Sequence, residues 1–160
     1  MAEYRGRLSG GGRRFALVVS RFNELVTERL AAGAKSCLVQ HGVAESDIDT
    51  IHVPGAWELP LGVRGALKRG GYDGIVALGC VIRGETPHFD YVAGGAANGL
   101  ASLALESGVP VGLGLLTTET MDQAMARAGG KSGNKGWEAA LSVLEMVGLL
   151  QQLEEDRARA

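Results

Sequence analysis

Cysteine is scarce in this chain: Cys37 and Cys80 are the only two among 160 residues, and their spacing forms no CxxC pair. That excludes a disulfide framework and a cysteine zinc site, and it fits a reducing compartment, so a cytoplasmic location is expected. Neither sign of charge dominates: 16 basic and 18 acidic residues leave a formal net charge of −2. Electrostatics therefore offers nothing to draw nucleic acid. No apolar stretch approaches the roughly 18 residues of a membrane span, so no membrane partner is expected. The first apolar run, Phe15 to Val19, is too short for a signal peptide and leads through Ser20 into Arg21. Internal repeats and long linkers are also missing.

What is present is a globular composition, 46% apolar and 21% charged, in a length that suits one domain with a proper core. Glycine is in excess, with 25 copies and no collagen period, which points to tight turns and close backbone approaches. Arg5, Arg7, Arg13 and Arg14 gather near the start, interrupted by glycines. Residues 1–14 are accordingly expected to form a solvated arm or a subunit contact, residues 15–155 the domain, and residues 156–160 a tail.

Along the domain, strand and helix signals alternate. Phe15 to Val19 has the continuous apolar character of a strand buried on both faces. Asn23 offers an N-cap, and from Leu25 the positions Leu30, Ala34, Cys37, Leu38 and His41 recur at helical spacing until Gly42. Ile51 to Val53 forms a short strand. A helix begins near Ala56 or Trp57 and runs to Arg69, with Pro60 tolerated in its first turn. Gly74 to Cys80 is the strongest strand; Thr86 and Pro87 then read as N-cap and first helical residue of a helix reaching Ser107. Val109 to Leu116 forms a fourth strand. A short helix ends at Arg127, a loop spans Gly129 to Gly136, and a last amphipathic helix ends near Glu155. Such alternation predicts an α/β fold: a three-layer αβα sandwich around a mostly parallel four-stranded sheet with right-handed crossovers.

Ligands of such sheets bind outside the carboxyl ends of the strands. Four segments lie there, and the most informative runs from Cys80 to His88. A helix N-terminus behind Gly84, Glu85 and Thr86 favours an anion, and His88 in the first turn is suited to move protons near neutral pH. The plainer reading is a capping threonine and a partly buried histidine. Phe22 can stack on a flat heterocycle or pack a helix start. Glu58 can accept hydrogen bonds from hydroxyls or complement a helix dipole. Arg127, Lys131 and Lys135 around the glycine-rich loop suit phosphate, or they mark a helix C-terminus and a turn. His41 and His52 read as structural. Gly130-Lys131-Ser132 is no triphosphate loop, because Met125 stands where its first glycine is needed and a helix, not a strand, leads in.

Taken together, Arg21-Phe22-Asn23, Pro54-Gly55-Ala56-Trp57-Glu58, Gly79 through Val92, Leu116-Thr117-Thr118-Glu119 and Arg127 through Gly136 closely resemble the 6,7-dimethyl-8-ribityllumazine synthase family. The likeness runs in order from Phe15 to about Leu150, and the block around His88 is specific to that family. It implies a flavodoxin-like domain that condenses 5-amino-6-(D-ribitylamino)uracil with L-3,4-dihydroxy-2-butanone 4-phosphate, without metal or organic cofactor. On this resemblance Phe22 stacks on the pyrimidine, with Asn23 beside it, and Ala56, Trp57 and Glu58 hold the ribityl chain. Backbone groups of Cys80, Val81 and Ile82 read the pyrimidine edge, Glu85, Thr86 and Arg127 bind phosphate with Lys135 nearby, and His88 moves protons.

Two departures stand out. Leu113 replaces a phenylalanine that many members present to the ring from a neighbouring subunit, which implies weaker ligand binding, and Glu85 puts a carboxylate in the phosphate turn. The resemblance further implies a homo-oligomer: a pentamer with sites between subunits, an N-terminal arm pairing with a neighbour, and riboflavin synthase as a possible companion. The short Gly129–Gly136 turn favours the sixty-subunit shell. Leu113 alone leans toward an alternative, a catalytically weak flavin-binding shell protein on the same fold. A flavodoxin-like signalling domain would need an acidic phosphorylation cluster that is missing.

Overall fold

Strand and helix alternate in the computed structural model, which describes residues 1–160. Four parallel strands form the central sheet: β1 (Phe15–Ser20), β2 (Ile48–Val53), β3 (Gly74–Ile82) and β4 (Val111–Thr118), in the order β2-β1-β3-β4. Helices α1 (Glu24–Gln40) and α5 (Lys135–Arg159) cover one face, and α2 (Leu59–Arg69) and α3 (His88–Ser107) cover the other. Each face has its own core. Phe15, Leu17, Val76, Leu78 and Leu116 meet α1 and α5, whereas Ala16, Val18, Ile75, Ala77 and Leu115 meet α2 and α3. The alternation of consecutive strand residues between two buried faces explains why β1 and β3 read as unbroken apolar runs.

Several element boundaries differ from the sequence expectation. β2 starts at Ile48 rather than Ile51, because Asp49 and Thr50 occupy an edge strand whose exposed side tolerates polar residues. β4 starts at Val111 and extends to Thr118; Pro110 has no N–H for the ladder, and its carbonyl accepts from Ile75 N–H (2.9 Å). α1 buries Val26 and Leu30, leaving Leu25 exposed. Gly129 to Gly136 is no open loop: β5 (Ala128–Gly130) and β6 (Gly133–Asn134) pair antiparallel, with positive φ at Gly129 and Gly133. α4 (Met121–Ala126) leads into that hairpin, and Thr120 caps it by accepting from Gln123 N–H. α5 continues to Arg159, so the last acidic residues lie on an exposed helical turn.

Gly136, inside α5, sits where the helix crosses α1. A Cβ there would stand 2.1 Å from the Leu30 carbonyl oxygen, so only glycine lets the two helices approach this closely. Residues 1–14 have no regular structure and lie along α5. Tyr4 donates to Asp156, Gln152 donates to the Arg5 carbonyl (2.8 Å), and Gly6 and Gly148 form the contact surface. No helix is long and apolar enough to cross a membrane.

Candidate active site

The strand order reverses at β1, which pairs with β2 on one side and β3 on the other. α1, which follows β1, and α3, which follows β3, leave toward opposite faces, and that divergence opens a crevice at the carboxyl ends of β1 and β3. The backbone builds its walls. Arg21 N–H donates to Val53 O (2.9 Å) and Phe22 N–H to Pro54 O (3.0 Å), tying the exit of β1 to the exit of β2.

Asn23 does not cap α1 with its side chain. It stands at φ 60° in the left-handed region, its carbonyl starts the helix, and its amide donates to Cys80 O (3.1 Å) across the crevice. Asparagine tolerates that conformation better than most residues, and here the freed side chain fixes the distance between β1 and β3.

A cavity of about 710 Å³ fills the crevice, a size ordinary for small-molecule sites. Phe22, Ala56, Trp57, Glu58, Cys80, Val81, Ile82, Thr86 and His88 all line it. The Ala56–Glu58 turn precedes α2 with Pro60 in the helix's first turn. The Trp57 ring lies on Gly95 of α3, where a Cβ would come within 2.5 Å of it, and this contact holds the indole at the cavity rim. Glu58 faces back over Gly55, its Oε1 3.3 Å from where a Cβ would stand.

Thr86 is not the N-cap of α3. The helix begins one residue later, at His88, with Pro87 in the cap position and no side-chain cap bond. The Thr86 hydroxyl is therefore left free, and His88 occupies the first helical position, exposed at the cavity. Gly84, expected in the anion-binding turn, lines the cavity as well, and so do Gly55, Phe89, Tyr91 and Val92, to which sequence reasoning gave no role. The signal was there: on α3, positions 88, 91 and 92 share one helical face.

Burial pushes the Cys80 thiol up to about 11, so it stays protonated at neutral pH and is no nucleophile. His41 is structural, as expected: its Nδ1 lies 2.6 Å from the Cys37 carbonyl, and its ring meets Trp137 edge-on. No three His, Cys, Asp or Glu side chains converge as a metal site would require.

Four predicted residues stay apart from these. Glu85 is exposed beside the cavity. Arg127 is exposed at the end of α4, donating to Gln123 O (3.0 Å). Lys135 is exposed at the start of α5. Leu113 stands opposite Ala77 in the ladder, 47% exposed on the edge strand. That is three residues short of Cys80, or about 10 Å along the strand, too far to reach this cavity.

A family model described as 6,7-dimethyl-8-ribityllumazine synthase matches residues 12–151. The chain belongs to that family. A lumazine synthase condenses 5-amino-6-(D-ribitylamino)uracil with L-3,4-dihydroxy-2-butanone 4-phosphate and releases the lumazine, phosphate and water, a step of riboflavin biosynthesis. The cavity brings together apolar and aromatic side chains, the Glu58 carboxylate, and the His88 imidazole beside the hydroxyl of Thr86.

Proposed function

We propose that this cavity is one half of the lumazine synthase site and that an adjacent copy of the chain supplies the other half. Phe22 stacks on the pyrimidine, with Asn23 setting the width of the crevice. Ala56, Trp57 and Glu58 hold the ribityl chain, and the backbone of Cys80, Val81 and Ile82 reads the ring edge. The turn through Glu85 and Thr86 receives the phosphate, with Arg127 and Lys135 arriving from the neighbour and Leu113 covering the ring.

His88 moves protons while the pyrimidine amine attacks the ketone carbonyl and water leaves to form the imine; phosphate is then eliminated, and the ribitylamino nitrogen closes the ring on the carbonyl so formed with loss of a second water. Holding both substrates in reactive orientation does much of the work, worth roughly 7–11 kcal/mol in favourable cases.

The observation that carries this reading is the separation just described. Nine expected residues line one cavity, while Arg127, Lys135 and Leu113 lie exposed away from it. The open edge of β4 supports it as well: Leu105, Met146 and Leu150 line an apolar groove there, and Leu113 is exposed on the strand itself. The backbone N–H groups of residues 1–9 pair with no backbone carbonyl of their own chain, which leaves this arm free to pair with a neighbour's strand. A pentamer, and with the tight β5–β6 turn a sixty-subunit shell, follows as the assembly. Riboflavin synthase is the natural companion.

Complementation tests the shared site. His88→Ala and Arg127→Ala, each impaired alone, regain activity when unfolded and refolded together, because some sites then combine an intact His88 with an intact Arg127. Mixed assemblies no more active than the average of the two parents would place both residues in one subunit's site.

A further inference from the structure

Arg83 opens the turn that carries the chain from β3 to His88, and the catalytic roles above leave it without a task. Its backbone N–H donates to Thr118 O at the end of β4 (2.8 Å). The guanidinium then reaches in two directions. Nε donates to Glu119 Oε1 (3.1 Å), and Nη2 donates to Asp90 Oδ1 (3.4 Å). Its central carbon lies 4.4 Å from the centre of the Phe89 ring, within cation–π range. One planar cation thus grips the two residues that follow His88 and holds them to the segment after β4. Between its ends the turn has no other brace, since Gly84, Glu85 and Thr86 make no hydrogen bond within the chain.

From Glu119 the connection continues. Glu119 N–H donates to Gln123 Oε1 (2.8 Å), and Arg127 Nη1 donates to Gln123 O (3.0 Å). The side chains of Arg83, Asp90 and Glu119 are 40%, 62% and 63% exposed, so these pairs add little to stability. What the rigid fork supplies is direction. It fixes where the first turn of α3 stands relative to α4.

We propose that Arg83 is a positioning residue for the reaction: it holds His88 at the cavity and, through Glu119 and Gln123, sets the attitude of Arg127. This rests on the roles proposed above for His88 and Arg127. A lysine cannot replace it, because an ammonium has no fork with which to serve Asp90 and Glu119 while lying flat on Phe89.

The test is steady-state kinetics with both substrates on full-length, assembled Arg83→Gln, Arg83→Lys, Glu119→Gln and the double variant Arg83→Gln/Glu119→Gln. His88→Ala and Arg127→Ala are run beside them. Arg83→Gln lowers kcat by roughly 5- to 20-fold, because a turn no longer held in place leaves the imidazole less often in reactive orientation, while Tm stays close to the parent value because the lost pairs are exposed. Arg83→Lys remains impaired, and the double variant is no slower than Arg83→Gln. Arg157→Gln, which removes a pair with Glu154 on the exposed end of α5, keeps the parent kcat.

Parent-like kcat and KM in Arg83→Gln would overturn the inference, as would full rescue by lysine or a loss that merely follows a drop in Tm. If His88→Ala and Arg127→Ala also leave the kinetics untouched, the site assignment itself fails. If they respond and Arg83→Gln does not, only the role of Arg83 falls.

Discussion

At the scale of single residues, the roles proposed for His88 and Arg127 are two different kinds of work. His88 stands at the first position of α3 and lines the cavity, and its proposed task is to carry a proton. His88→Ala therefore lowers kcat by about 10- to 100-fold, at or below the low end of general acid–base effects because orientation supplies the remainder, and leaves both KM values near the parent. Arg127 offers a guanidinium suited to phosphate oxygens, so Arg127→Ala mainly raises KM for the phosphorylated substrate. Saturation kinetics in each substrate distinguish the two, and the reverse pattern would mean the roles are exchanged. Burial keeps the Cys80 thiol protonated, so the role proposed for Cys80 falls to its backbone.

Between elements, the end of the sheet opposite the cavity carries a polar clasp. Asp49 of β2 accepts from the Tyr72 hydroxyl (2.6 Å) and from Arg14 Nη2 (2.9 Å), and Arg14 and Arg69 lie over the Tyr72 ring. The Tyr72 bond, with Arg14 and Arg69 adding to it, holds the Asp49 carboxyl below its usual range. Burial and the Asp49 bond push the Tyr72 phenol above its usual range.

The two shifts act at opposite ends of the pH scale. Asp49, with its folded pKa lowered, stabilises above its unfolded pKa of about 3.9, and that contribution disappears as pH falls through the lower folded value. Tyr72, with its folded pKa raised, stabilises below about 10, and that contribution disappears as pH rises through the higher folded value. Tyr72→Phe is expected to lower Tm by a few degrees near neutrality and to flatten the fall of Tm at both extremes. Thermal melts across that range check it. An unchanged profile would mean the clasp does not hold the strands.

For the molecule as a whole, the apolar surface at the open β4 edge and the residues stranded away from the cavity both support the proposed assembly of this fold with copies of itself. Light scattering of the purified protein is expected to give a mass that is a multiple of five chains, with the shell favoured by the tight β5–β6 turn. A stable, active monomer would contradict the shared site directly. In the proposed assembly the arm, held along α5 mainly by side-chain contacts, is a second contact surface.

The amino-acid order by itself determined the alternation of strand and helix, because buried strands and amphipathic helices impose different apolar periods that survive in Phe15 to Val19 or Leu30 to Leu38. It determined most of the cavity too, since a parallel sheet sends the residues after β1, β2 and β3 to one edge. Only the tertiary structure decided that Asn23 bridges to Cys80 instead of capping α1, that His88 rather than Pro87 opens α3, and that Arg83 spans the turn before it. The physical reason is common to all three. Each depends on a partner distant in the chain or on the direction of a side chain, and local periodicity carries no record of either.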